Sequence, residues 1–242
     1  MKKLATILLT LSVIVPSLGQ SWWNSKKIRG NGKVITETRK IGSFDKVSIG
    51  GSFDVYLIEG TEGQLTIEGE ENIVNYIETE VKKGILNVQF KKNTNIKTTK
   101  KLVVTIPFEK IESLALGGSG NIVVKKRIRA DEVSFAIGGS GNIIASVDAN
   151  TVKTSIGGSG NIELKGKTDN LKCAIAGSGN VKAYDLNTSS VKASIAGSGD
   201  VQTSVSNEIK ASIVGSGSVY YKGNPPTIDS SAIGSGDVIN KN

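Results

Sequence analysis

The chain has no histidine. That absence excludes Ser-His-Asp and Cys-His nucleophilic sites, histidine-ligated zinc and the usual imidazole base. Cysteine is almost as scarce, with Cys173 alone, so no intramolecular disulfide can brace the fold and stability must come from packing. Cys173 falls where neighbouring repeats carry Thr154 and Ala193, which reads as a small buried residue. Aromatic residues make up 5% of the chain and do not interleave with its basic runs. Nucleic acid is therefore not an expected partner, because base stacking needs such side chains. Long apolar runs are also missing. The one candidate, Leu4 to Val15, is well short of the roughly 20 residues a membrane helix needs.

That short run follows Lys2 and Lys3 and precedes Ser17 and Gly19, the layout of a secretory signal peptide over 1–19 with cleavage before Gln20. No cysteine lies near the cleavage point, which argues against a lipoprotein. The expectation is an exported protein without a transmembrane segment, found in the periplasm, at the cell surface or secreted. Part of the net charge of +8 comes from the two leader lysines. The remaining basic residues cluster in KKNTNIKTTKK, with Lys91, Lys92, Lys97, Lys100 and Lys101, and in KKRIR, Lys125 to Arg129. Either could meet an anionic envelope glycan or lipid headgroup, or be a solvated face that blunts a sheet edge.

What the chain has in abundance is a repeat. Gly-Ser-Gly recurs seven times, in the glycine pairs Gly118 and Gly120, Gly139 and Gly141, Gly158 and Gly160, Gly177 and Gly179, Gly197 and Gly199, Gly215 and Gly217, and Gly234 and Gly236. Successive serines are 21, 19, 19, 20, 18 and 19 residues apart. Spacing of this kind marks a solenoid whose coils cannot bury their apolar edges alone and must stack. At about 4.8 Å per coil, seven coils make a rod on the order of 30 Å long.

Parity then assigns faces. Val152, Thr154, Ile156, Gly158, Gly160, Ile162 and Leu164 share one phase, and a period of two points them all to one side. The glycines are thus inward, where a sharp bend leaves no room for a side chain or demands a torsion that other residues resist. The motif reads as a corner rather than a ligand cradle. Ser159 and Asn161 fall in the outward phase. Stacking would align Asn121, Asn142, Asn161, Asn180, Asp200, Ser218 and Asp237 into a polar ladder, a device that bonds along a stack and doubles as a candidate binding strip.

Residues 33–108 are patterned more loosely. GGSFDVYLIEG reads as a degenerate first corner, and QLTIEG, GILNVQF and KLVVTIP read as strands. Within Glu71 to Val81, Ile73, Val74 and Ile77 approach helical spacing, so a short helix or irregular excursion is expected to cover the solenoid's end. The organisation expected is a flexible lead over 20–32 and a single solenoid domain over 33–242, with irregular first coils and cap to 108 and seven coils from 109. Trp22 and Trp23 read as a packing anchor in preference to a sugar-stacking pair. YYKGNPPTI, with Pro225 and Pro226, reads as a turn before the final coil.

Chemistry beyond packing is thin. Hexapeptide acyltransferases rely on histidine and a contiguous six-residue period, both missing here. Calcium-binding nonapeptide repeats need an aspartate where Ile122, Ile143 and Ile162 stand, and calcium needs several converging oxygens. The acids Asp131, Glu132, Asp148 and Glu163 are scattered over coil positions instead of forming a carboxylate pair. No catalytic, metal or cofactor site is expected.

FDKVSIGGSFDVYLIEG, ENIVNYIETEV, the repeated GSGN and GSGD, and the late YYKGNPP occur in an order that resembles the auto-transporter adhesin head GIN domain family of Bacteroidetes. The resemblance implies an all-β fold, a right-handed parallel β-helix with Gly-Ser-Gly at tight turns between its sheets, and a role in adhesion. It supplies no catalytic residues. The reading that results is a non-catalytic exported module recognising a glycan or protein surface at the cell envelope, with the corner ladder and the Lys91–Lys101 patch as its surfaces. A polysaccharide-modifying enzyme and a structural protein that self-associates into a homo-oligomer are the alternatives.

Overall fold

The computed structural model describes residues 26–242. The signal peptide expected over 1–19 and the Trp22–Trp23 pair lie outside the described residues. The chain is a β-solenoid of about seven turns, with parallel coils about 19 residues apart.

Each regular coil runs from one Gly-Ser-Gly corner to the next. The strands Ile128–Gly139, Asn142–Gly158, Asn161–Gly177, Asn180–Gly197 and Val201–Gly215 pair in parallel, each with the next. Like stacks on like: Ile156, Ile175, Ile195 and Ile213 form one inward row, and Gly158, Gly177, Gly197 and Gly215 another row at the corner. Branched aliphatics in register fill the interior with the close packing typical of protein cores. Alternate burial follows the parity, with Val152, Ile156, Ile162 and Leu164 buried and Ser159 exposed. Thr154 and Cys173 occupy the same inward row.

Both glycines of a corner lack room for a Cβ, which on Gly158 would overlap the Gly139 carbonyl oxygen, and the first has a torsional reason besides. Gly158 has φ +134°, which only glycine adopts freely. Gly160 has no such torsion, but a Cβ there would overlap the Gly141 carbonyl oxygen and lie 2.7 Å from Ile137 Cγ2. The same overlap climbs the stack: a Cβ on Gly179 would strike the Gly160 oxygen, one on Gly199 the Gly179 oxygen, one on Gly217 the Gly199 oxygen and one on Gly236 the Gly217 oxygen. Burial divides the pair in the same way and corrects the expectation that both glycines point inward. Gly160, Gly179, Gly199, Gly217 and Gly236 are all buried, whereas Gly158, Gly177, Gly197 and Gly215 are half-buried and Gly234 is exposed. The positive φ of the first glycine turns the backbone before the period of two can carry it inside. The serine amide and the second glycine amide both donate to the carbonyl of the coil beneath, Ser159 at 2.9 Å and Gly160 at 3.1 Å from Gly139 O. The motif is a corner.

The amino-terminal third departs from this plan. Lys46–Gly50 and Asp54–Glu59 form a coil that pairs on one side with Ser113–Gly118 and Asn121–Val124. On its other side lie Ile85–Phe90 and Val103–Phe108, so stacking order and chain order differ. Beyond them the pairing turns antiparallel: Ile77–Lys82 on Ile85–Phe90, Gln64–Glu70 on Val103–Phe108, and Val34–Lys40 on Gln64–Glu70. A single helical turn, Glu71–Val74, buries Ile73 and Val74. Ile77, which shares their spacing, begins a strand instead, so the Glu71–Val81 segment is helix first and strand after. The three segments QLTIEG, GILNVQF and KLVVTIP all contain strands.

The lead expected to be flexible over 20–32 is corrected in its second half. Lys26–Arg29 is a strand in parallel register with Thr94–Lys97. Its cause is apolar: Ile28 lies opposite Ile96, and both pack against the core. At the far end, Thr227–Gly234 stacks on Val201–Gly215, and Ile228 and Ile233 are 44% and 70% exposed.

Candidate functional site

The polar ladder exists and is continuous. Asn142 Nδ2 donates to Asn121 Oδ1 at 2.9 Å, Asn161 to Asn142 at 3.0 Å and Asn180 to Asn161 at 2.9 Å. Asp200 has no side-chain donor, so its backbone N–H reaches Asn180 Oδ1 at 3.0 Å, and its carboxylate accepts from Ser218 N at 2.8 Å. Asp237 N donates to Ser218 Oγ at 3.3 Å. Ser218, the departure at the sixth corner, therefore carries the ladder on. One rung was missed in the sequence: Asn121 Nδ2 donates to Asp54 Oδ1 at 2.8 Å. Its signal was GSFD in the place of GSGN. The asparagines are half-buried, with oxygens and one amide hydrogen of each engaged along the axis, and only the second hydrogen is left to an outside partner.

The Lys91–Lys101 patch is carried by the two-stranded ribbon of Lys26–Arg29 and Thr94–Lys97. Register sets Arg29 directly opposite Lys97. Like charges so placed destabilise a strand pair. Lys27, Lys92, Lys97, Lys100 and Lys101 are exposed, and none of them joins the ion pairs found among the described residues. Lys91 lies over the Tyr76 ring, 5.9 Å from its centroid. The other basic cluster is more occupied. Lys125 covers the Tyr56 ring at 5.3 Å, and Lys126 pairs with Glu59 at 3.0 Å.

A carboxylate clamp holds the ribbon's loop. Glu70, 2% exposed, accepts from Gly32 N and Thr99 N, both at 2.7 Å, from Thr99 Oγ1 at 2.6 Å and from Lys100 N at 3.3 Å. Burial pushes its carboxyl up, but the bonds from Thr99, Gly32 and Lys100 outweigh that and lower it to about 2. Gly30 is needed because a Cβ would overlap this carboxylate. Sequence reading did not find Glu70, since its partners lie far away along the chain.

The remaining groups are engaged individually. Asn150 Nδ2 donates to Asp131 at 2.5 Å, and Glu132, Asp148 and Glu163 pair with Lys153, Lys167 and Lys165 at 2.6, 3.4 and 3.2 Å. Burial pushes the Cys173 thiol up to about 12, which leaves it protonated and unreactive. No group of three His, Cys, Asp or Glu residues among the described residues could hold a metal ion. No helix among them is long and apolar enough to cross a membrane.

The family described as "putative auto-transporter adhesin, head GIN domain" matches residues 43–225. The chain belongs to that family. Solved structures similar to this GIN-family chain include a "putative adhesin" from Bacteroides fragilis NCTC 9343, 27% identical with a TM-score of 0.82, covering 88% of this chain and 100% of that one. A "putative lipid binding protein" from Parabacteroides distasonis ATCC 8503 is 26% identical, with a TM-score of 0.74 and coverage of 90% and 100%. A "putative adhesin" from the same organism, at 20% identity, TM-score 0.70 and coverage of 89% and 100%, shares the fold. No curated protein matches the chain.

Proposed function

We propose that this GIN-family chain is an exported, non-catalytic module that attaches to an anionic surface at the cell envelope through its basic ribbon. One observation carries the reading: Arg29 lies opposite Lys97 and neither joins the ion pairs found among the described residues, while Glu70 fixes the adjoining loop. Such an arrangement is unfavourable until an external anion lies across it. The Asn121–Asp237 ladder contributes rigidity beneath this surface and at most its spare amide hydrogens to a partner.

Anionic glycans and lipid headgroups present the same chemistry, and one experiment separates them. The mature chain from Gln20 is applied to a glycan array and to phosphatidylglycerol vesicles at low and high salt. Binding that falls with salt, and falls at least about tenfold in a Lys97→Ala, Lys100→Ala, Lys101→Ala variant, is expected. The array or the vesicles then name the source. Unchanged binding by the variant, or none at any salt, overturns the proposal.

Self-association is a second reading, supported by the exposed strand Thr227–Gly234. Its row is nearly uncharged, with only Asp229. The outer strands of the opposite end carry Glu37, Arg39, Lys40, Glu78 and Glu80, which discourage edge pairing. A second copy would therefore meet it end against like end. Sedimentation showing a mass independent of concentration would discard this reading.

A further inference from the structure

Away from the Gly-Ser-Gly corner, the regular coils absorb differences in their length. Register shifts fall between Glu163 and Lys165, between Ala183 and Asn187, and between Thr188 and Ser190, whereas the rows on the approach to each corner hold their register. The result is an open groove of about 690 Å³ that crosses the coils. Its floor is the buried row Ala149, Thr168, Thr188 and Val205. Beside it runs the row Asp148, Lys167, Asn187, Ser204 and Lys222. Five coils at about 4.8 Å give a track about 19 Å long.

We propose that this groove is a binding site for a linear, hydroxyl-rich and largely uncharged oligosaccharide lying along the solenoid axis. Three observations point there. First, the lining hydroxyls are fixed: Thr168 donates to Asn150 O at 3.2 Å, Thr188 to Leu186 O at 3.2 Å, Ser204 to Tyr184 O at 2.6 Å and Ser206 to Thr188 O at 3.4 Å. Ser204 and Ser206, which are not buried, keep acceptor capacity for a ligand hydroxyl. Second, the Asp169, Asn187 and Ser189 side chains make no hydrogen bond among the described residues and line the groove, so they offer donors and acceptors at successive coils. Third, the charges of the groove cancel in sum, Asp148 and Asp169 against Lys167 and Lys222, with Asp148 paired to Lys167 at 3.4 Å and Lys222 held 4.8 Å from the centre of the Tyr184 ring. A polyanion gains little here, and the groove has no exposed large apolar side chain to receive a lipid tail or a peptide's apolar anchor. Repetition of polar groups at the coil spacing suits a ligand that itself repeats at about the length of one sugar ring.

The site is separate from the basic ribbon, and its test separates the two. The full mature chain is titrated calorimetrically with neutral hexasaccharides (cello-, xylo-, malto- and β-1,3-gluco-) and with the matching disaccharides. At least one hexasaccharide is expected to bind at least about tenfold tighter than its disaccharide and to change by less than about twofold between low and high salt. An Asp169→Ala, Asn187→Ala, Ser189→Ala variant, altered only at residues without internal hydrogen bonds, should lose at least about tenfold in affinity with its thermal midpoint unchanged. The Lys97, Lys100, Lys101 variant should bind as the parent does. Absence of binding by all four hexasaccharides, equal affinity of the groove variant, or binding abolished by salt would overturn the site.

Discussion

Phe53 and Gly120 hold the same place in successive coils, yet one is a fully buried phenyl and the other has no side chain. Their equivalence is plain from register, since Asp54 lies beside Asn121 and Asn121 N donates to Phe53 O at 2.8 Å. A Cβ at this place points toward the preceding coil: on Gly120 it would overlap the Phe53 carbonyl, and on Gly141 the Gly120 carbonyl. Beneath Phe53 there is no corner. Between Phe90 and Val103 the chain leaves the stack to form the basic ribbon, and the phenyl fills the vacated position, its ring 4.7 Å from that of Phe90. The glycine of the motif therefore records that another corner lies under it.

The largest effect should come from giving a regular corner the side chain its first counterpart has. Gly160→Val forces a branched side chain onto the Gly141 backbone, which cannot withdraw, and should cost roughly 4 kcal/mol or more, the range of the most damaging substitutions. Gly157→Ala, one residue outside the corner, meets only the Ile137 oxygen at 3.9 Å and should change stability by no more than about 0.5 kcal/mol. Urea denaturation of the pair measures the contrast, and equal midpoints would break the comparison. Phe53→Gly would complete the repeat in sequence and still destabilise by about 3–5 kcal/mol, through the cavity it leaves against Phe90. Asn161→Leu interrupts the ladder between Asn142 and Asn180 and should cost about 1–3 kcal/mol, smaller because the rungs are half-buried. The same substitution at Asp237, at the exposed end, should be near neutral.

The effect confined to the narrowest range of conditions belongs to acid. Because the folded Glu70 carboxyl is lowered from 4.5 to about 2, its contribution is complete above about pH 4.5 and lost as pH falls through 2. Glu70→Gln should therefore show a stability deficit that is constant above about pH 5 and shrinks between pH 4.5 and 2. Chemical denaturation of parent and variant across that range provides the reading. A deficit that grows on acidification would reverse the assignment.

The sequence resolved most where structure repeats. Inward Ile156, outward Ser159 and the rung at Asn161 follow from a period of two within one coil, and stacking copies those positions without new information. It resolved least where contacts join unlike segments. Glu70 meets Thr99 across 29 residues with no period to announce it. The layer beneath Phe53 is built from later residues, so no local pattern distinguishes first coil from first layer. The Asp54 rung was legible in GSFD, but a carboxylate in place of an amide and a phenylalanine in place of a glycine concealed the match. The groove has no signature in the sequence, because it lies where coil length drifts and no repeated residue marks it.

Hydrogen bonds between coils lie along the rod, and each coil joins the next through a row of them. A load spread over a whole end face is shared by the entire row. A load on the chain at Asn242 meets the bonds one after another, beginning with those of the Asn242 side chain to Gly223 and Asn224 and passing to Lys241 N on Tyr221 O at 2.8 Å. Pulled that way, the molecule would unwind like thread from a spool, in steps of one turn. Each step releases 18 to 21 residues, or about 60–70 Å of extended chain, while the coils beneath remain wound.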